Sequence, residues 1–214
     1  MEALINHIKP GRVYRRSDLE FFSTAIDRHL NQLKNAGALK KLGQGLYYVP
    51  KESKFGLVPP DDKELVKRFL MDESFLLLSP NAYNSLGLGA TQLYNTTWVY
   101  NLKRRGEFKF NGNTFVFKTK SALPKNLSKE YLAVDLLDKL KELSENSENL
   151  VTTFLSRLKD FNFKKLILPT QIYGSGFTKK LIMVALRKSL PRNDLLPRIL
   201  GRIKEKSLTP KRER

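Results

Sequence analysis

The 214-residue chain contains no cysteine, which excludes disulfide staples and thiolate metal sites. Histidine occurs only at His7 and His29, too few for an imidazole-rich metal site, so both are expected on the surface or in helix packing. No apolar run approaches the length needed to span a bilayer, and MEALINHIKPGR at the N-terminus lacks the apolar core of a signal peptide. A cytoplasmic chain without membrane attachment is the expectation. Acidic residues are also scarce: 21 against 39 lysines and arginines, giving a formal net charge of +18 and a pI near 10.0. Such an excess favours polyanionic partners, of which nucleic acid is the commonest. The excess is uneven. Residues 1–50 hold 8 basic and 4 acidic groups, residues 51–156 hold 15 and 13, and residues 157–214 hold 16 and 4.

What is present is most informative between Arg15 and Pro50, RRSDLEFFSTAIDRHLNQLKNAGALKKLGQGLYYVP. Ser17-Asp18-Leu19-Glu20 has capping-box spacing and predicts a short helix starting there. A second helix is expected from about Thr24 to Ala36, ended by Gly37. Ile26, Leu30 and Leu33 then form one apolar stripe, while Thr24, Asp27, Arg28, Asn31, Gln32 and Lys34 fall on the opposite face. Leu39–Leu42 and Leu46–Val49 read as two strands about the turn Gly43-Gln44-Gly45. Arg12–Arg15 is an extended segment able to pair with that hairpin. Helix, helix and hairpin in this order are the layout of a winged helix-turn-helix, although such a trio can also be a plain packing unit.

Further along, Lys51–Pro60 carries two prolines and a glycine and reads as a linker. A helix is expected from Asp61 to Met71, with Leu65, Phe69 and Leu70 inward. Phe75–Leu78 is a fully apolar run, expected to be buried. Pro80 permits a helix start. Tyr94, Trp98, Tyr100 and Leu102 share one face of a strand by period-two spacing. Gly106–Lys118 reads as a hairpin about Asn111-Gly112; a two-residue loop puts Phe108, Phe110, Phe115 and Phe117 on one face. Those four argue for core rather than for base stacking. Lys129–Leu143 reads as an amphipathic helix, Leu150–Leu158 and Thr178–Leu190 as further helices, and 204–214 as a basic tail.

The fold class expected is therefore α+β: a winged helix-turn-helix over 1–50, a linker over 51–60, a mixed α/β domain with an antiparallel hairpin and C-terminal helices over 61–203, then the tail.

Several stretches together resemble the AbiEi-type antitoxins, transcriptional regulators of abortive-infection toxin–antitoxin operons. They are Arg16-Ser17-Asp18-Leu19, Leu33-Lys34-Asn35-Ala36-Gly37-Ala38-Leu39, Gly45-Leu46-Tyr47-Tyr48-Val49-Pro50, and Ser79-Pro80-Asn81-Ala82-Tyr83-Asn84-Ser85-Leu86-Gly87-Leu88. The similarity runs in order over roughly residues 1–120. It implies a DNA-binding protein, not an enzyme, that recognises inverted repeats in its own promoter through the winged domain. It also implies a second domain that neutralises a nucleotidyltransferase-like toxin without a tight complex. No cofactor is expected.

On this reading Arg28, Asn31 and Gln32 are the expected base readers, with Thr24 and Lys34 on phosphates. Lys40, Lys41 and Gln44 would grip from the wing, with Arg15 and Arg16 on phosphates beside the first helix. Asp27 is expected to cap reciprocally with Thr24. Two rival readings stand. The basic C-terminal third could bind RNA. Glu107-Phe108-Lys109 has the Glu-x-Lys spacing of metal-dependent nucleases, which would need a further acid such as Asp72; alternation with Phe108 and Phe110 instead makes Glu107 and Lys109 the wet face of a hairpin.

Overall fold

The structure is a computed structural model, and it describes residues 1–43 and 45–189. Gln44 and the tail expected at 204–214 lie outside the described residues. The protein is of mixed α and β structure, and it divides into two compact units: Met1–Pro80 with Tyr94–Leu123, and Asn81–Leu93 with the chain from Pro124 onward.

The first unit begins with α1 (Glu2–His7), β1 (Val13–Arg15), α2 (Arg16–Leu19) and, after a single 3-10 turn, α3 (Ile26–Asn35). Two strands follow, β2 (Lys40–Gly43) and β3 (Leu46–Tyr48), and β1 pairs antiparallel with β3 to give a three-stranded sheet of order β1-β3-β2. α2 starts two residues earlier than the Ser17 box predicts, with Arg15 in place of Ser17 at the cap position. The Asp18 carboxylate accepts from the Arg15 amide at 3.2 Å, so Asp18 closes the first turn and Ser17 lies inside it. α3 likewise begins at Ile26, after Thr24: the Ser23 hydroxyl accepts from the Ala25 amide at 3.2 Å and holds the preceding turn open.

The stretch 51–60 is not an irregular linker. It contains a hairpin, β4 (Lys51–Ser53) with β5 (Gly56–Val58), and the chain before and after it belongs to the same unit. Val13, Leu42, Leu46 and Tyr48 share one core with Leu65, Val66, Phe69 and Leu70 of α4 (Asp62–Leu70) and with Val99, Phe110, Phe115 and Phe117. A break at residue 50 would cut through that core. α4 begins where its sequence says it should, with the Asp61 carboxylate accepting from the Glu64 amide at 2.7 Å.

The second sheet has the order β6-β7-β9-β8, from β6 (Phe75–Leu78), β7 (Thr96–Asn101), β8 (Gly106–Phe110) and β9 (Asn113–Thr119). The β8–β9 hairpin has the expected register, with Phe110 opposite Asn113 and Phe108 opposite Phe115. Asn111 at φ 50° and Gly112 at φ 86° take the two left-handed conformations that a type I′ turn requires. Phe110, Phe115 and Phe117 are buried around Phe69, and Phe108 packs against them.

Two expectations fail in this sheet. β6 is an edge strand, and only Leu78 of it is fully buried. β7 is central and runs parallel to β9, so Val99 and Asn101 are buried as well as Trp98 and Tyr100, while Leu102 lies beyond the strand and is exposed. A strand covered on both faces shows no one-sided alternation.

The second unit is helical. α5 (Lys129–Asp138) packs against α7 (Phe163–Tyr173) and α8 (Gly176–Ser189), and α6 (Ser147–Ser156) lies between α5 and α7 in sequence. α5 is not amphipathic: Glu130 through Leu137 are all buried. α7 is absent from the sequence expectations because Pro169 lies inside it. It forms nonetheless, with Asn162 accepting from the Lys165 amide at 3.1 Å at its start, and Leu166, Ile167 and Thr170 buried.

Candidate nucleic-acid interface

α3 divides cleanly between its two faces. Ile26, Leu30 and Leu33 are buried in a cluster with Leu4, Tyr14, Leu19, Leu39 and Val49, which fixes the helix against α1, α2 and the three-stranded sheet. Arg28, Asn31, Gln32 and Lys34 are all exposed, as is Thr24 just before the helix. Gly37, at φ 74°, turns the chain out of the helix towards β2. At 1.5 Å per residue the ten-residue helix is about 15 Å long, and its polar face fits a major groove about 12 Å wide. Lys40 and Lys41 are exposed on β2.

The charges beside α3 are partly spoken for. Arg16 makes a two-pronged ion pair with Asp27, both contacts at 2.8 Å, and a third contact to Glu20 at 2.9 Å. This ties α2 to α3 and answers the role of Asp27. Its carboxylate is a partner of Arg16, not a cap for Thr24, and that hydrogen bond holds its carboxyl below the usual range. The same contacts raise the Arg16 guanidinium further above its already high value. Arg15 donates to the Arg68 carbonyl at 3.4 Å and lines a cleft with Asp18, Lys67, Arg68 and Met71, so it is directed along α4. The structure thus gathers Arg28, Asn31, Gln32 and Lys34 on one open face, leaves Lys40 and Lys41 open on β2, and engages Arg15 and Arg16 elsewhere.

The two histidines pack. His7 stacks on Phe22 at 3.8 Å between ring centres, and the His29 ring meets the Ser23 hydroxyl at 2.7 Å. Burial first, then the N-terminal amine and Arg28, push the His29 pKa below the ordinary imidazole value. At neutral pH the positive charge of the α3 face therefore comes from Arg28 and Lys34.

One neighbour of the β2–β3 turn leaves no trace in the sequence. The Asn111 amide of the β8–β9 turn donates to the Leu42 carbonyl at 3.4 Å. A Cβ on Gly43 would come 3.3 Å from the Lys109 carbonyl oxygen. Gly43 is needed for its φ of 132° and for this close approach together.

The nuclease spacing meets a different arrangement. Asp72 pairs with Lys103 at 2.7 Å and accepts from the Ser74 amide at 2.8 Å, which lowers its pKa to about 2. Glu107 and Lys109 are exposed, and among the described residues no three His, Asp or Glu side chains converge as a metal site. No helix among the described residues is long and apolar enough to cross a membrane. Neither a protein-family model, nor a curated protein, nor a solved structure matches this chain.

Proposed function

We propose that the chain is a sequence-specific DNA-binding regulator, with residues 1–50 working as a winged helix-turn-helix. The observation that carries this reading is the two-sidedness of α3, whose leucines are locked in a core while Arg28, Asn31 and Gln32 stand in solvent. The order α1-β1-α2-α3-β2-β3, with β1 paired to β3, supports it. Arg28, Asn31 and Gln32 read base edges, and Lys34, Lys40 and Lys41 hold phosphates. The resemblance to AbiEi-type antitoxins extends the proposal: an autorepressor of its own promoter, acting in the cytoplasm on inverted repeats, whose second unit counters a nucleotidyltransferase-like toxin.

The test is binding to the chain's own upstream DNA across a salt series. With about six phosphate contacts, affinity falls about a thousandfold between 50 and 200 mM salt. Arg28→Ala weakens the specific site by about 1–3 kcal/mol and relaxes one base position, whereas Lys41→Ala weakens specific and random duplexes alike. Equal losses on both duplexes for both variants would remove the assignment.

RNA binding is the second reading. It is favoured by residues 157–189, which hold 8 basic and 1 acidic side chains, with Lys164, Lys165, Lys180, Arg187 and Lys188 exposed. Structured RNA that displaces upstream DNA at matched salt would favour it.

A further inference from the structure

The β4–β5 hairpin is held in place, yet its tip stands clear of the other described residues. Every residue from 51 to 57 is exposed, and Phe55 at the tip is 100% exposed, Leu57 70%. Two three-residue strands have little stability of their own in water. They are kept in register by side chains within and beside the hairpin. The Tyr48 hydroxyl donates to the Val58 carbonyl at 2.7 Å. Ser53 Oγ donates to the Gly56 carbonyl at 3.0 Å and accepts from the Phe55 amide at 3.2 Å. Lys51 lies over Gly11, where an added Cβ would come 3.2 Å from its Cδ. The chain thus fixes a rigid finger and presents a phenylalanine and a leucine to solvent, which costs solubility unless something covers them.

We propose that this finger is a contact between two copies of the chain, Phe55 and Leu57 of one lying against the same pair of the other about a two-fold axis. The charge on the apolar face chooses a second copy over nucleic acid. Glu52 is directly opposite Leu57 in the hairpin, so a carboxylate shares that face, where it would repel phosphates. Lys54 at the turn of one hairpin can instead complement Glu52 of its twin. Size sets the strength. At about 200 Å² for each phenylalanine, plus the leucines and flanking stems, the pair buries on the order of 1,000 Å² in total, at the low end for specific interfaces. The association is weak in free solution and is favoured where two copies are held close together. It does not rest on the DNA-binding reading.

The absence of cysteine supplies the test, since Leu57→Cys gives the full chain a single thiol. Leu93→Cys is the control, at a leucine 84% exposed in the other unit. Under mild oxidation at high protein concentration, the disulfide-linked dimer forms at least about tenfold faster from position 57, as local pairing raises the effective thiol concentration. Adding Phe55→Asp returns that rate to the control, and sedimentation of the unaltered chain becomes concentration-dependent where that of Phe55→Asp does not. Equal crosslinking rates at 57 and 93, or an unaltered chain that stays monomeric throughout, would overturn the proposal. So would a control-level rate at 57 together with a Phe55→Asp variant that binds a single DNA half-site less well. That result would place the finger on nucleic acid and leave the regulator reading standing. Rapid crosslinking at 57 in a chain that binds no DNA would do the reverse.

Discussion

α3 and α5 are both ten-residue helices, and they use their surfaces in opposite ways. α3 buries three side chains, half-buries His29 against Ser23 and leaves the other six in water; α5 buries eight, two of them acidic. A helix that spends one stripe on the core keeps another for a ligand. A helix buried all round must find partners inside for every polar atom it carries. α5 does so incompletely. Asp135 accepts from the buried Tyr83 hydroxyl at 2.7 Å, whereas the buried Tyr131 hydroxyl has no partner among the described residues. The first helix keeps a polar face open to solvent, the second holds its unit together, and the difference can be broken experimentally.

The largest expected effect lies in what anchors α3. Leu30 is 1% exposed, and Leu30→Ala removes its contacts and leaves a cavity, at a cost of about 2–5 kcal/mol. Urea denaturation followed by circular dichroism measures this. A loss under about 1 kcal/mol would mean that the leucine stripe does not hold the helix, and the two-sided reading would fail.

The tyrosines of the second unit sharpen the contrast. Tyr83→Phe removes a hydrogen bond to a buried carboxylate and costs about 1.5–3 kcal/mol. Tyr131→Phe removes a hydroxyl that forms no bond among the described residues, and stability is unchanged or rises by about 1 kcal/mol. Burial first, then the charge of Asp135, push the Tyr131 hydroxyl upward in pKa, so it stays neutral across the working range and its ionisation offers no compensation. Thermal melts of the two variants should move in opposite directions, or only the Tyr83 variant should move. Equal destabilisation by both would show that Tyr131 has a partner after all.

Several local signals in the sequence carry over intact, although the equally local Ser17 box gives way to Asp18. The α3 stripe, the Asp61–Met71 helix and the Asn111-Gly112 turn each depend on residues within a few positions. Four features were hidden for physical reasons. The core joining Leu42 and Leu46 to Phe69 and Phe117 is made by residues far apart in the chain, so a Pro-rich stretch between them looked like a boundary. The parallel pairing of β7 with β9 depends on β8 lying at the outer edge, which no periodicity records. Pro169 argues against a helix, yet the packing of Leu166, Ile167 and Thr170 overrides the lost hydrogen bond. Finally, Arg16 looked like a phosphate contact because charge is legible in a sequence and pairing is not. Its partner Asp27 was visible, eleven residues on, but only the crossing of α2 and α3 brings them together.

That pair gives the smallest expected effect and the most discriminating one for α3. Asp27→Asn leaves Arg16 with Glu20 alone and frees part of its charge beside the polar face of α3. Binding to specific and random duplexes should strengthen alike, and the slope of log affinity against log salt should steepen by about 0.9, one extra phosphate. An acid scan checks the same contact without DNA. The Asp27 carboxyl lies below its unfolded value of 3.8, so the pair contributes fully above that pH and the contribution is lost as pH falls through the lower, folded value. The parent chain and Asp27→Asn should therefore differ slightly in stability near neutrality and converge in strong acid. If Asp27→Asn instead weakened the specific site alone, Asp27 would be accepting from a base, and the base-reading set on α3 would extend one residue further towards its N-terminus.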